Sequence, residues 1–425
     1  MIQSFEKINI VKGSLTFQGD KSISHRALLI SSLAEGKSII RNLSESDDVK
    51  STISCLRELG MEIESKNNET IVIGKGFKRY RKPSIPLNAG NSGTTARLLS
   101  GILAAQNIES IITGDASLSS RPLNRIIEPL TQMGFRIESS DGKLPIKIFP
   151  VEKQNAINYT MPVASAQVKS AILFAGLHLE NETSVIESIP TRNHTENLLD
   201  LKVITETNRI ISSVSKEYYP NPSDYFIPGD ISSAMFLIVL ALLTKNSELK
   251  IKDVSLNHTR IECLNILKRM GGKIQIEERG LSNNEIFGDV IVKSSSLTNV
   301  KIDKDLIPLI IDEIPILTIA GIFTEGEFEI KGASELRVKE SDRIKAICKN
   351  LSKLGLNIDE FDDGFNVNGK IQKPSEPFES FGDHRIAMAF AVLASLIKEG
   401  GQVSGFDCIS VSNPTFLKQL QLISN

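Results

Sequence analysis

At 425 residues, with 40% apolar and 24% charged residues and a net charge of −2, the chain is long enough for two domains and too balanced in charge to draw in a polyanion. Five tyrosines and no tryptophan leave little for stacking on nucleic-acid bases. Affinity for small anions must then come from local bases and from helix N-termini, whose free N–H groups and positive dipole end attract phosphate. The cysteines Cys55, Cys263, Cys348 and Cys408 show no CxxC spacing, and no His/Cys cluster suggests zinc, so neither metal nor cofactor is expected. The N-terminal MIQSFEKINIVKG is charged and alternating where a signal peptide is continuously apolar. The longest apolar run, Met235 to Leu243, falls short of a membrane span, so the expected setting is the cytoplasm.

Taken in chain order, one grammar recurs six times: a polar or Gly-rich loop, an apolar helix, a β-branched strand, an amphipathic helix and a closing strand. The first copy starts at Gly19-Asp20-Lys21-Ser22, with a helix from Ile23 to Ala34, a strand at Ser38-Ile39-Ile40 and a helix from Asp47 to Leu59 stopped by Gly60. The second starts at Ala89-Gly90-Asn91-Ser92-Gly93, with a strand at Ser110 to Thr113 and a helix after Arg121-Pro122 ending at Met133-Gly134. The third starts at Ala164-Ser165-Ala166-Gln167. The remaining copies start near Gly229-Asp230, Asp312-Glu313 and Gly382-Asp383. Alternating strands and helices predict an α/β fold of two similar domains, three copies in each, with a cleft between them. The boundary is expected near Tyr225 to Asp230, where Pro220, Pro222, Pro228 and Gly229 punctuate the chain. That makes residues 20–228 the N-terminal domain. Residues 1–19, strand-like and preceding the first copy, are expected to cross over and join 229–425 as the C-terminal domain.

Candidate chemistry sits at the helix starts. Lys21 and Ser22, followed one turn later by Arg26, make a plausible anion cradle, although an N-cap serine among surface bases accounts for them as well. Gly93, in Asn91-Ser92-Gly93-Thr94-Thr95, would let a ligand approach the backbone, or simply form a turn. Arg121 ends the loop Gly114 to Ser120, where a solvated arginine is the ordinary alternative. Ser165 and Gln167 can donate to phosphate or hydroxyl groups, and Arg192 sits before the next helix; capping explains the serine equally well. Asp312 and Glu313 precede an apolar helix, so either acid could serve as a base or merely favour the dipole. Arg337-Val338-Lys339-Glu340-Ser341-Asp342-Arg343 occupies the same slot in its repeat as Arg121 and Arg192, and Arg385 opens the sixth copy beside Asp383.

With these residues assembled, the sequence resembles the 5-enolpyruvylshikimate-3-phosphate synthase family along nearly its whole length. The strings that carry the likeness are GDKSISHRAL (19–28), GNSGTTARLL (90–99), GDASLSSRP (114–122), ASAQVKSA (164–171), LRVKESDR (336–343) and GDHRIAMA (382–389). The resemblance implies a fold of two similar domains, each of three βαβαββ units, and a reaction in which phosphoenolpyruvate gives its enolpyruvyl group to the 5-hydroxyl of shikimate 3-phosphate, releasing phosphate, in the pathway to chorismate and the aromatic amino acids. By similarity, Lys21, Ser22, Arg26, Ser165, Ala166, Gln167, Arg192, Asp312 and Lys339 would hold shikimate 3-phosphate. Lys21, Gly93, Arg121, Gln167, Arg343 and Arg385 would hold phosphoenolpyruvate. Asp312 is the expected base and Glu340 the expected acid, with Lys21 an alternative proton relay.

The resemblance further implies a monomer acting on small molecules, with no nucleic-acid or membrane partner. Gly93 keeps the small residue associated with glyphosate sensitivity. Two departures stand out. Val411-Ser412-Asn413-Pro414 lies where some members carry a lysine that meets phosphoenolpyruvate, and Leu199 to Asn208 lacks the glycine that ends the second helix elsewhere. A UDP-N-acetylglucosamine enolpyruvyl transferase would carry a reactive cysteine before Arg121, where this chain has Asp115 and Ala116. A non-catalytic phospho-ligand-binding protein would need neither Asp312 nor Glu340.

Overall fold

The computed structural model describes residues 1–424. It divides into an N-terminal unit of residues 18–228 with 281–285, and a C-terminal unit of residues 1–17, 229–280 and 286 onward. Residues 281–285, expected with the C-terminal half, group instead with the N-terminal unit. Their polar groups explain why: Ser282 Oγ accepts from Phe226 N at 3.1 Å, Asn283 Nδ2 donates to Ser223 Oγ at 3.2 Å, and Glu285 meets His194 Nδ1 at 2.8 Å.

Strands β1 (Ile2–Phe5) and β2 (Lys12–Thr16) open the chain. The first repeat holds α1 (Lys21–Leu33), β3 (Glu35–Arg41), α2 (Asp47–Glu58), β4 (Glu62–Lys66) and β5 (Glu69–Lys75). The second holds β6 (Leu87–Asn88), α3 (Gly93–Gln106), β7 (Ser110–Thr113), α4 (Ala116–Ser120), α5 (Asn124–Gln132), β8 (Arg136–Ser140) and β9 (Lys143–Phe149). The third holds β10 (Asn158–Thr160), α6 (Ala166–Gly176), β11 (Thr183–Glu187), α7 (His194–Leu198), β12 (Val203–Glu206) and β13 (Arg209–Val214), followed by β14 (Asp224–Phe226). Three sheets result, ordered β14-β3-β5-β4, β6-β7-β9-β8 and β10-β11-β13-β12. In each, the first pair is parallel and the others antiparallel.

In the C-terminal unit, α8 (Ile231–Leu243), β15 (Glu248–Ser255), α9 (Glu262–Arg269), β16 (Lys273–Ser282) and β17 (Glu285–Lys293) come first, except that residues 281–285, where β16 turns into β17, group with the N-terminal unit. Next are α10 (Ile307–Ile310), α11 (Ile314–Ile322), β18 (Phe328–Ile330), α12 (Arg343–Ser352), β19 (Asn357–Phe361) and β20 (Gly364–Asn368). The chain closes with β21 (Phe378–Glu379), α13 (His384–Leu396), β22 (Gly401–Ser404) and α14 (Phe416–Ile423). The sheets run β2-β15-β17-β16, β18-β20-β19 and β1-β22-β21. The repeats are thus circularly completed: the strand before α1 pairs with β15, while the one before α8 pairs with β3. The fifth repeat departs from the pattern, since a single bridge, Thr298 to Glu325, stands where its first strand would be.

Local chemistry explains these boundaries. The second helices of four repeats end at Gly60, Gly134, Gly271 and Gly355, all with positive φ, as a left-handed C′ residue requires. The third repeat has no glycine there, and Asp200 takes the turn at φ 51°, stopping α7 after five residues. An aspartate tolerates that conformation better than most side chains do.

Each unit has its own apolar core. At their centres lie the first helices of the repeats, α1, α3 and α6 in one unit and α8, α11 and α13 in the other. These helices are buried on nearly every face; α8 buries every residue from Ile231 to Leu242. Truncating a side chain such as Phe236 in that setting costs about 3–5 kcal/mol. The charged side chains that these helices carry sit within their first turns, so the candidate chemistry gathers at the helix starts. Among the described residues, no helix is long and apolar enough to cross a membrane.

Candidate active site

In the N-terminal unit the starts of α1, α3 and α6 are drawn together by hydrogen bonds. Asp20, Ser92 and Ser165 cap the three helices, accepting from Ile23 N, Thr95 N and Val168 N at 3.0, 3.1 and 3.4 Å. Lys21 begins α1 and donates to Asp48 Oδ2 on α2 at 2.8 Å. Arg26, one turn further and 2% exposed, donates to Thr195 Oγ1 at 2.7 Å, Ser170 Oγ at 2.8 Å and the carbonyl of Ser22 at 3.0 Å. Those partners are all uncharged. Burial lowers its pKa to about 10; Arg192 adds to the fall and Glu196 opposes it. A buried guanidinium held by neutral groups leaves positive charge for an anion to match.

Beside it, Arg97 Nη1 donates to Gln167 Oε1 at 3.1 Å and Nη2 to the carbonyl of Pro122 at 3.1 Å, while Gln167 Nε2 donates to Thr94 Oγ1 at 3.0 Å. Arg121 reaches Asn91 Oδ1 at 2.8 Å and Ser117 Oγ at 3.1 Å. Gly93 lies under both arginines, and a Cβ built there would stand 2.4 Å from Arg97 Nη1 and 3.7 Å from Arg121 Nη1. Behind this surface His25 Nδ1 and Thr52 Oγ1 lie 2.7 Å apart, and Thr52 Oγ1 is 2.7 Å from Thr95 Oγ1. Burial, with Lys21 and Arg26 nearby, pushes the His25 pKa well down, so the ring is neutral.

The C-terminal unit assembles a different surface. Arg343, 1% exposed, donates from Nε to Asp383 Oδ2 at 2.7 Å, from Nη1 to Asp312 Oδ1 at 3.2 Å and from Nη2 to Glu340 Oε2 at 2.6 Å. Burial alone would lower its pKa, but Asp383, Glu340 and Asp312 together raise it, so this group stays cationic. Arg385 donates to Ser232 Oγ at 2.6 Å and to the carbonyl of Asp312 at 2.9 Å, with Asp312 Oδ2 and Glu313 Oε1 both 3.6 Å away. Three carboxylates, Asp312, Glu340 and Asp383, therefore share the Arg343 guanidinium. Arg337, by contrast, is taken up by Asp342 at 2.8 Å, Glu360 at 3.0 Å and the carbonyls of Phe361 and Asp362, which is structural work.

Of the residues singled out in the sequence, Lys21, Ser22, Arg26, Gly93, Arg121, Ser165, Ala166, Gln167 and Arg192 lie in the N-terminal unit, and Asp312, Lys339, Glu340, Arg343 and Arg385 in the C-terminal one. Compared with known proteins, residues 5–420 match the sequence model of EPSP synthase (3-phosphoshikimate 1-carboxyvinyltransferase). The chain belongs to the EPSP synthase family. The 3-phosphoshikimate 1-carboxyvinyltransferase of Petrotoga mobilis is 46% identical over 422 residues, 97% of each chain. That of Solibacter usitatus is 45% identical over 416 residues, again 97% of each. Among solved structures, EPSP synthase from Acinetobacter baumannii matches with a TM-score of 0.85 at 38% identity, covering 100% of this chain and 98% of that one. The enolpyruvyl transferase NikO from Streptomyces tendae reaches 0.74 at 14% identity over 99% and 97% of the two chains, a likeness of fold alone.

Several residues of this EPSP synthase family member that shape the two surfaces carried no sequence signal of their own. Asp48 reads as an ordinary first-turn acid of α2, and only the fold brings it to Lys21. Ser232, which joins Arg385 to Glu313, reads as a small residue in an apolar helix. Arg97 lies in GNSGTTARLL, where nothing local points to its partner; its bond to Gln167 crosses from the second repeat to the third.

Proposed function

We infer that the chain transfers the enolpyruvyl group of phosphoenolpyruvate to the 5-hydroxyl of shikimate 3-phosphate, releasing phosphate, as a step of aromatic amino acid biosynthesis. The observation that carries the reading is the pair of carboxylates, Asp312 and Glu340, on one buried guanidinium in a chain whose family match runs from residue 5 to 420. Addition of a hydroxyl across an enol double bond needs a base at the oxygen and an acid at the methylene carbon. In our assignment Asp312 takes the hydroxyl proton as that oxygen bonds to C2 of phosphoenolpyruvate, and Glu340 protonates C3 to a methyl group. Phosphate then leaves C2 and a proton leaves the methyl group, restoring the double bond. Lys21 is the alternative proton carrier. Arg343, touching both acids, fixes their orientation.

Shikimate 3-phosphate is assigned to Lys21, Ser22, Arg26, Ser165, Ala166, Gln167, Arg192, Asp312 and Lys339. Phosphoenolpyruvate is assigned to Lys21, Gly93, Arg121, Gln167, Arg343 and Arg385. The uncharged hydrogen-bond partners of Arg26 support the first assignment, since a phosphate could pair with its charge. The enzyme is taken to work as a cytoplasmic monomer, and glyphosate to compete with phosphoenolpyruvate. Mass spectrometry of the product formed from phosphoenolpyruvate with either shikimate 3-phosphate or UDP-N-acetylglucosamine tests the reading. A product with the first acceptor only is expected; a product with the second only would overturn it.

A further inference from the structure

One buried polar cluster that the proposed reaction does not use centres on Lys169 of α6. Lys169 is 1% exposed, and its Nζ stands 2.6 Å from Glu187 Oε2 and 2.7 Å from Glu196 Oε1. Burial alone would lower the pKa of this ammonium, but Glu196 and Glu187 raise it, so it is held as a cation. Glu187 is the last residue of β11, and Glu196 lies in α7. The loop between these elements, residues 188–193, carries Arg192. One ammonium thus ties together both ends of that loop, and Thr191 Oγ1, next to Arg192, donates to the free oxygen of Glu187. Ser212 Oγ donates to Glu196 Oε1 at 3.2 Å from the adjoining strand β13.

The same lysine also fixes the start of α6. Residues three and four apart share a helix face, so Lys169 stands below Ala166 and Ser165, and its N–H donates to the Ser165 carbonyl at 3.1 Å. The neighbouring Ser170 and Thr195 hydroxyls, 2.7 Å apart, both receive Arg26. Anchoring Lys169 therefore sets the rotation of α6, the base of the Arg192 loop and the seat of Arg26 at once.

We propose that Lys169, Glu187, Glu196 and Thr191 form a buried positioning network that sets affinity for the phosphorylated acceptor, by holding Arg192, Ser165 and Arg26 in one geometry, without touching the donor or the reacting atoms. The proposal rests on the acceptor assignment made above. Removing Lys169 would strand two buried carboxylates and endanger folding, so the sharper probe is the loop hydroxyl. Thr191→Val keeps shape and deletes one hydrogen bond; Thr191→Ser keeps the bond and deletes a methyl.

The experiment measures shikimate 3-phosphate binding by calorimetry and steady-state kinetics for wild type and both variants. Thr191→Val should weaken shikimate 3-phosphate binding and raise its KM about 10- to 160-fold, the range expected for a hydrogen bond to a charged group, with kcat and the phosphoenolpyruvate KM within twofold. Thr191→Ser should restore wild-type values. Equal binding by wild type and Thr191→Val overturns the network, as does a loss shared by kcat or by both substrates. A wild-type chain that binds no shikimate 3-phosphate overturns the acceptor assignment together with it.

Discussion

Adding one methyl group at Gly93 tests the donor side of the site. The Cβ of Gly93→Ala would lie 2.4 Å from Arg97 Nη1, where an ordinary contact is about 3.5 Å, so the guanidinium must retreat by about 1 Å. It is the far end of a flexible side chain, and Gly93 is not among the residues with positive φ, so the backbone has no reason to strain. Stability should change by less than about 1 kcal/mol. What is lost is the Arg97 bond to Gln167, 3.1 Å long. A hydrogen bond to a charged group contributes about 1.5–3 kcal/mol, which converts to a rise of about 10- to 160-fold in the phosphoenolpyruvate KM. The shikimate 3-phosphate KM should rise less than threefold, because Gln167 still holds Thr94. Initial rates with each substrate varied in turn, beside a thermal melt, decide the matter. An unchanged phosphoenolpyruvate KM in a folded variant would remove Gly93 from the donor site.

Three further outcomes follow from single contacts. Asp48→Asn leaves Lys21 without its carboxylate partner and should lower kcat/KM about 10- to 100-fold with an unaltered circular dichroism spectrum; an active variant would make the pair structural. Glu340→Gln keeps the acceptor for Arg343 but loses the proton, and should lower kcat about 10²- to 10⁴-fold while calorimetric affinity for shikimate 3-phosphate holds; equal loss of binding would contradict the acid role. Burial holds the His178 pKa down at about 4, below the ordinary 6.5. The unfolded chain therefore takes up a proton first as pH falls. The stability this neutral ring contributes is complete above the unfolded value and is lost on acidification through the window down to the folded one, by up to about 3 kcal/mol. Urea unfolding at neutral and mildly acidic pH should show a flatter decline for His178→Gln than for wild type, and parallel curves would refute the assignment.

Much of this architecture was legible because each repeat declares its helices at both ends. The stop at Leu59-Gly60 and the start at Ser92-Gly93 are local chemistry, and the structure keeps both. The third repeat was harder, since its second helix is a single short turn and Asp200, not glycine, terminates it. The fifth repeat's missing first strand leaves no trace in composition, because one bridge needs no hydrophobic run. At the candidate site, the arginines and acids could be named from their slots, but not their pairings. That Arg343 binds Asp312, Glu340 and Asp383 together, or that Lys169 joins Glu187 to Glu196, depends on contacts between elements far apart in the chain. Leu281 to Glu285 joined the N-terminal unit for the same reason.

Phosphate release from phosphoenolpyruvate by the purified protein, with and without shikimate 3-phosphate and in the presence of a chelator, tests the central claim most directly. The account predicts release only when shikimate 3-phosphate is present, one phosphate for each acceptor consumed, and indifference to the chelator. Release without the acceptor, or none from a folded protein that binds shikimate 3-phosphate, would contradict it.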